Sequence, residues 1–276
     1  MPELGASVAQ ERYPPQTLPF RLPLLAPLVA AVLLGGACGR RVYLGNLGDG
    51  GGAGILWQAT FEPGDLSEWR ADGNGGVYTD GQAPDPVATQ DRAHHGRYSG
   101  LVVFSPTSGA AFSYLYREQP IPSQAYYGAW FLIPTSLQVR SFLSLLHFGY
   151  HQTADDPNTT AIWDFDLQPE TDGSLVPRLY QTGAASPVAA QPAVPVPPAT
   201  WVHFELLFKK AADATGHIVV WQNGVQVMDV TNVVTAPTDW IQWDVGGGAL
   251  DVITPTPVSI YVDDVTISST RVGPAP

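Results

Sequence analysis

The sequence predicts an all-β protein built as an antiparallel β-sandwich of the jelly-roll type. From Ile55 onward, almost every segment with a hydrophobic period has a period of two and is rich in β-branched and aromatic residues. The 28 glycines and 26 prolines fall largely between these segments, where they favour turns. Convincing amphipathic helical patterns are missing. Antiparallel strands without helices are typical of sandwiches and jelly rolls, which protect the sheet edges.

The individual strands can be read from the alternation. They are "GLVVFSP" (100–106), "AFSYLYREQ" (111–119), "YYGAWFLIP" (126–134), "SFLSLLHFGY" (141–150), "TAIWDFDLQ" (160–168), "VPRLYQTG" (176–183), "TWVHFELLFKKA" (200–211), "HIVVWQNGVQVMDV" (217–230) and "VSIYVDDVTISS" (258–269). The "QNG" at 222–224 predicts a hairpin, because Asn-Gly tolerates the positive φ angles of a tight turn. The strands together predict a single domain over residues 55–271.

Charge narrows the classes of partner. The 276 residues carry a formal net charge of −12 and only 13 lysines and arginines. Binding to nucleic acid or to an acidic membrane surface requires many basic side chains, so no nucleic-acid partner is expected. Neutral glycans or cations are the expected partners, and the chain is expected to be a monomer.

The N-terminal segment indicates export. Residues 18–37 form a Pro-broken apolar run that ends in small residues before Cys38, the one cysteine of the chain. The pattern predicts a signal peptide over residues 1–37, and "LLGGAC" resembles a bacterial lipobox with lipidation at Cys38. The expected location is secreted or cell-surface, as a lipoprotein of the bacterial envelope, with the membrane reached only through this lipid anchor. A plain secreted or single-anchor protein is the alternative, and Gly-rich residues 38–54 are interpreted as a tether.

Several motifs follow in an order that resembles a known superfamily. They are "TFEPGDLSEW" (60–69), "AHHGRYSGLVV" (93–103), "YYGAWFLIP", "TWVHFELLFKKAADATGHIVVWQNGVQVMDV" and "IYVDDVTIS". The order is similar to concanavalin A-like jelly rolls of the lectin/glucanase superfamily, with the pattern nearest to polysaccharide lyases of the heparin lyase I and glucuronan lyase type and to carbohydrate-binding modules. The resemblance implies an extracellular polysaccharide partner. It leaves open a lyase that cleaves uronate-containing glycan by β-elimination, a non-catalytic lectin-like module and a surface adhesion module.

Lyase chemistry selects a group of candidate catalytic residues. Elimination on a uronate needs a base, an acid and a group that neutralises the carboxylate, which His, Tyr, Arg and Gln can supply. The predicted catalytic residues are His147, Tyr150, Arg178 and Tyr180, and His151 is predicted to bind substrate. Alternation puts His147 on the same face as His151, and Arg178 on the same face as Tyr180. Each of them has a structural alternative as an ordinary packed side chain.

A neighbouring strand is acidic. In "IWDFDLQ", Asp164, Asp166 and Gln168 recur at every second position and therefore share one face. The strand resembles the acidic strand of retaining glucanases, but Gln168 cannot donate a proton as a carboxylic acid does. These three residues are predicted to bind substrate, with Trp163 as a platform for a sugar ring. The "TDWIQWD" segment (238–244) is interpreted as a loop that presents tryptophan to a ligand.

The last strand contains two adjacent carboxylates, Asp263 and Asp264. Alternation directs one of them toward apolar residues, where an ionised carboxylate needs a cation or several hydrogen-bond donors. In related jelly rolls a structural Ca²⁺ commonly joins the first and last strands, which implies Glu62, Asp263 and Asp264 as calcium ligands here. The alternative is that the two aspartates bind neighbouring backbone without a metal.

Overall fold

The computed structural model describes residues 54–80, 83–119, 121–184, 186–187 and 194–274. The predicted signal peptide, Cys38 and nearly all of the tether lie outside these residues. Within the described part, no helix has the length and apolar character needed to cross a membrane.

The elements are almost all strands. In chain order they are β1 (Ile55–Ala59), α1 (Ser67–Arg70), β2 (Gly75–Thr79), β3 (Val87–Thr89), β4 (Ser99–Phe104), β5 (Ala111–Gln119), β6 (Gln124–Leu132), β7 (Gln138–Val139), β8 (Leu143–Tyr150), β9 (Thr160–Pro169), β10 (Leu175–Gln181), β11 (Val202–Lys209), β12 (Gly216–Gln222), β13 (Val225–Val233), β14 (Ile241–Ala249), β15 (Ile253–Thr254) and β16 (Val258–Ser268).

Two antiparallel sheets form the body of the domain. The larger sheet has eight strands in the order β13-β12-β11-β6-β16-β4-β3, and β1 also pairs with β16. The smaller sheet has six strands in the order β10-β9-β8-β14-β5-β2, and β7 pairs with β15 separately. The predicted antiparallel sandwich is confirmed.

Aromatic side chains from both sheets fill the space between them. Phe148 of the smaller sheet stacks on Phe208 of the larger one with ring centroids 4.0 Å apart, and Tyr127 packs edge-on against Trp243 at 5.0 Å. Both Tyr127 and Trp243 are fully buried. Burial of this much aromatic surface is a large favourable contribution to folding, so it holds the two sheets face to face.

Two predictions made from local pattern have opposite outcomes. The "QNG" hairpin between β12 and β13 is confirmed, since Asn223 and Gly224 have φ angles of 48° and 80°. The loop assigned to residues 238–244 is wrong over its second half, because β14 begins at Ile241 and becomes an inner strand of the smaller sheet. Trp243 therefore packs in the core and presents no surface to a ligand.

Candidate functional site

The face of the smaller sheet that points away from the core is polar. Strand register brings its side chains together: His147 of β8 lies opposite both Asp164 of β9 and Asp244 of β14. Across the β9–β10 pair, Asp164 lies opposite Tyr180, and Asp166 lies opposite Arg178. We call this surface the polar face; it comprises Tyr114, His147, Asp164, Asp166, Gln168, Arg178, Tyr180, Gln242 and Asp244.

His147 and Asp244 form the central pair of the polar face. His147 Nδ1 lies 2.9 Å from Asp244 Oδ2, and Gln242 Nε2 donates to Asp244 Oδ1 at 2.8 Å. Asp244 is almost fully buried, whereas His147 keeps 16% of its side chain exposed. Because Nδ1 faces the carboxylate, Nε2 is the ring nitrogen available to a ligand.

The charge around His147 favours its protonated form. Burial alone opposes protonation, but the nearby charge of Asp244 and the hydrogen bond to it, with smaller contributions from Asp164 and Asp166, outweigh burial and raise the pKa of His147 to about 8. Both Asp164 and Asp166 are 1% exposed. Thr182 donates its hydroxyl to Asp164 Oδ2 at 3.0 Å. The middle of the polar face is therefore a protonatable imidazole surrounded by carboxylates.

Tyr114 approaches His147 across β14 because that strand carries glycine. The two ring centroids are 5.7 Å apart, although β14 separates their strands. A Cβ added at Gly248 would lie 2.4 Å from the Tyr114 hydroxyl, so only glycine leaves room for the ring there. Burial raises the pKa of Tyr114 well above its usual value. Tyr114 is thus a neutral hydrogen-bond donor beside His147.

Tyr180, Gln168 and Arg178 lie at one side of the polar face, as alternation predicted. The Tyr180 hydroxyl donates to Gln168 Oε1 at 2.9 Å. Arg178 forms an ion pair with Glu170 and also donates to the Pro177 carbonyl. The positive charge of Arg178 is consequently balanced by a carboxylate of the next turn.

His151 directly follows β8 and lies beside the polar face. Its Nδ1 hydrogen-bonds to the Asp156 carbonyl at 2.9 Å, and its Nε2 lies 3.5 Å from a Glu118 carboxylate oxygen. Thr159 contacts His151 Nε2 at 3.4 Å and donates to Gln242 Oε1 at 2.9 Å. Since Gln242 in turn binds Asp244, one chain of polar contacts runs from His151 to the central pair.

Two predicted residues lie elsewhere. Trp163 is fully buried between the sheets and donates from Nε1 to the Val234 carbonyl at 3.0 Å, so it offers no platform to a sugar. Tyr150 packs partly against the hydrophobic core, on the opposite side of β8 from His147. Alternation explains both corrections, because each residue is an odd number of positions from a residue of the polar face, Trp163 next to Asp164 and Tyr150 three after His147.

Sequence reasoning missed Asp244 and Tyr114 as members of this site. Asp244 stands in "QWDVGGG", a segment interpreted partly as a loop, and Tyr114 gave no signal of its own. A run of glycines within a strand was the available indication, since it marks a close approach of other groups to the backbone.

A second polar cluster lies where the last strand meets residues 94–98. Asp263 is fully buried, and its carboxylate accepts backbone N–H groups of His94 at 2.8 Å, His95 at 3.2 Å and Asp264 at 2.8 Å. Burial, followed by the charge of Asp264, raises the pKa of Asp263 to about 7 despite these donors. Glu62 Oε1 accepts the N–H groups of the two residues that follow Gly96, at 2.8 and 2.9 Å.

The predicted calcium ligands therefore do not share one point. Among the described residues, the group close enough to hold a metal ion consists of His94, His95 and Asp264, while Glu62 and Asp263 face backbone N–H groups of the same loop. Ca²⁺ takes six to eight oxygen ligands, and the three predicted carboxylates would supply only part of that set, so the calcium site stays a prediction.

Two stacked antiparallel sheets with this strand order form a β-sandwich of the jelly-roll type. The structure is similar to endo-β-1,4-glucuronan lyase from the fungus Trichoderma reesei, with a TM-score of 0.58 and 17% identity over 78% of this chain and 96% of that one. It is also similar to the cellulose-induced protein Cip1, with a TM-score of 0.54 and 18% identity over 79% of this chain and 99% of that one.

A third similar structure is a mutant of the alginate lyase Aly36B in complex with an alginate trisaccharide. The TM-score is 0.53 and the identity 11%, over 78% of this chain and 98% of that one. Neither a family model nor a curated protein matches the sequence. The resemblance to jelly-roll polysaccharide lyases is thus confirmed for the fold.

Proposed function

We propose that this protein is a polysaccharide lyase that cleaves uronate-containing glycan by β-elimination on the polar face. The observation that carries the proposal is the His147–Asp244 pair at 2.9 Å, at the centre of the outer face of the smaller sheet. The fold shared with glucuronan and alginate lyases supports it.

The reaction defines what the site must do. A base removes the proton from the carbon next to the uronate carboxylate, the electron pair of that C–H bond forms a double bond to the neighbouring carbon, and the bond from that carbon to the glycosidic oxygen breaks. The departing oxygen takes up a proton from an acid. A hydrogen-bond donor at the carboxylate stabilises the negative charge that develops before the bond breaks.

The polar face offers a group for each of these roles. His147 is the base through Nε2, because Asp244 holds Nδ1 and increases the basicity of the ring. Tyr114, neutral and 5.7 Å from His147 between ring centroids, is only 2% exposed, so it supports the His147 ring without touching the substrate, and His147 returns its proton to the departing oxygen. Gln168 accepts from Tyr180 with its amide oxygen, which leaves its NH₂ group as a donor to the uronate.

A second candidate is binding of a neutral glycan without cleavage. The observation that favours it is the set of three buried carboxylates, Asp164, Asp166 and Asp244, each 1% exposed. Their negative charge repels an anionic polymer, whereas a neutral glycan carries no charge for them to repel. In this candidate the protein is a lectin-like or adhesion module, and His147 only balances the buried charge.

The proposal includes a location. The chain is exported and held at the bacterial surface as a monomer by a lipid on Cys38, with residues 38–54 as the tether. The apolar run 18–37 and the "LLGGAC" segment support this. Labelling of the expressed protein with a radioactive fatty acid tests it, because a Cys38→Ser variant is then unlabelled; label that persists in the variant refutes the anchor.

The test of the activity is an elimination assay on the purified protein. Uronate-containing polysaccharides are supplied as a panel, with and without Ca²⁺, and the ultraviolet absorbance of the unsaturated product is followed. Since the base has a pKa of about 8, kcat/KM is expected to rise with pH through about 8. His147→Gln and Asp244→Asn are expected to lose activity by about 100-fold or more.

The matched control is His217→Gln. His217 also forms an ion pair with an aspartate, Asp229, at 2.8 Å, but it lies in the other sheet. Activity that survives in His147→Gln, or falls equally in His217→Gln, refutes the assigned base. A folded protein that produces no absorbance change on any polymer, yet binds neutral glycans on an array, establishes the second candidate.

A further inference from the structure

Three side chains outside the polar face meet in a small triangle. The Nδ1 atoms of His94 and His95 are 3.1 Å apart, and Asp264 Oδ2 lies 3.2 Å from the first and 2.5 Å from the second. Exposed fractions are 15% for the His94 side chain, 43% for His95 and 26% for Asp264. The cluster is therefore partly buried on one side and open to solvent on the other.

We propose that His94, His95 and Asp264 bind a divalent transition-metal ion of the zinc class. Two imidazoles and one carboxylate suit Zn²⁺ and its first-row neighbours, whereas Ca²⁺ takes oxygen ligands almost exclusively. Three protein ligands leave a fourth position for water on the exposed side. The site is independent of the proposed lyase activity, since its residues belong to the other sheet and its adjoining loop.

The distances fit such an ion. With metal–ligand bonds of about 2.0–2.2 Å, tetrahedral coordination puts two ligand atoms about 3.4 Å apart. Two sides of the triangle, 3.1 and 3.2 Å, are already close to this separation. Only the His95–Asp264 contact of 2.5 Å must lengthen, and the exposed His95 side chain has room to turn.

The backbone holds the three ligands in place. Asp263 accepts the N–H groups of both histidines, which fixes the chain where their side chains begin. Asp264 has a φ angle of 47° within an irregular part of β16, a conformation that costs energy for a residue other than glycine and recurs at functional sites. His94 stacks on Trp130 with ring centroids 3.7 Å apart, so its ring is oriented before any ion arrives.

Metal binding tests the proposal on the full chain carrying Cys38→Ser, which removes a thiolate that would also bind zinc. Isothermal titration with Zn²⁺ is expected to give one site per chain, and titration with Co²⁺ is expected to give the visible absorbance of four-coordinate cobalt. Ca²⁺ at the same concentrations is expected to give neither heat nor competition.

Removing one ligand then locates the ion. His95→Ala is expected to weaken Zn²⁺ binding by more than about 100-fold, because even changes in the outer shell of a metal site cost about 10–100-fold. His217→Ala, which alters an exposed histidine–aspartate pair elsewhere, is expected to bind Zn²⁺ as the parent does. Thermal unfolding of His95→Ala without metal is expected to match that of the parent, because this side chain is exposed, and it checks that the loss of binding is not a loss of folding.

Three outcomes overturn the proposal: no zinc binding at millimolar concentration, which leaves an ion pair between the histidines and Asp264; equal binding in His95→Ala; or binding of Ca²⁺ in preference to Zn²⁺. None of these results depends on the elimination assay, so failure of the metal site and failure of the lyase proposal are separate findings.

Discussion

Replacing His147 by glutamine removes a positive charge from a place where three buried carboxylates surround it. The pKa of His147 is raised from 6.5 to about 8, chiefly because the charge of Asp244 and its hydrogen bond outweigh burial. A raised pKa in the folded state means that the bound proton stabilises the fold. This stabilisation is fully present below about pH 6.5 and is lost as the pH rises through about 8.

The magnitude follows from the shift. One pKa unit corresponds to about 1.4 kcal/mol, so the contribution of His147 to the free energy of unfolding changes by about 2 kcal/mol between pH 6 and pH 9. Asp164, Asp166 and Asp244 face the imidazole from neighbouring strands. Tyr114 also faces it, but its raised pKa keeps it neutral at pH 9.

Urea unfolding of the wild type and of His147→Gln, followed by tryptophan fluorescence at pH 6 and pH 9, measures the effect. The wild type is expected to exceed the variant in stability by about 2 kcal/mol more at pH 6 than at pH 9. His151, whose pKa the Glu118 carboxylate raises, and Asp263, whose pKa burial raises to about 7, are present in both proteins and cancel in the difference. A difference that is the same at both pH values, or that grows with pH, refutes the reasoning.

Three further substitutions test the packing. Trp243→Ala, in the centre of the core, is expected to lower the free energy of unfolding by about 3–5 kcal/mol, as measured by urea titration. The control is Trp240→Ala, which is expected to lower it by less because Trp240 is half-buried. Gly248→Ala places a Cβ 2.4 Å from the Tyr114 hydroxyl. It is expected to lower the free energy of unfolding by about 1–3 kcal/mol and to remove most of the elimination activity, and an unchanged thermal midpoint would contradict this. Glu205→Gln removes the buried charge that accepts N–H groups from Arg271, Val272 and Gly273, so hydrogen exchange of the Val272 and Gly273 amides is expected to accelerate, and an unchanged exchange rate would show that other contacts hold these residues.

The strands could be predicted from sequence because their signal is local. Alternation and the Asn223-Gly224 turn act over a few residues, and both are found where the pattern put them. β14 was missed because the three glycines near its end carry no strand propensity and its first residues were assigned to a loop; the strand exists through pairing with β5 and β8 on either side.

The members of the candidate site could not be predicted together, because the pairing of residues across neighbouring strands cannot be read from one sequence. His147 and Asp244 are neighbours because β8 and β14 pair in the smaller sheet, although many strands separate them along the chain. The same holds for His94 and Asp264, which meet because the loop before β4 lies over β16. Residue types and faces were predictable, whereas the partners across strands required the structure.

The strand order also sets when this protein can fold. β16, which follows the other described strands along the chain, lies between β6 and β4 and pairs with β1 as well, so the larger sheet stays divided until β16 has left the ribosome. The other sheet likewise waits for β14 to join β5 to β8. Because contacts between distant parts of the chain form slowly, the newly made polypeptide remains unfolded for an extended interval. The proposed export of this protein requires such an interval, because a translocation pore passes a chain only while it is unfolded.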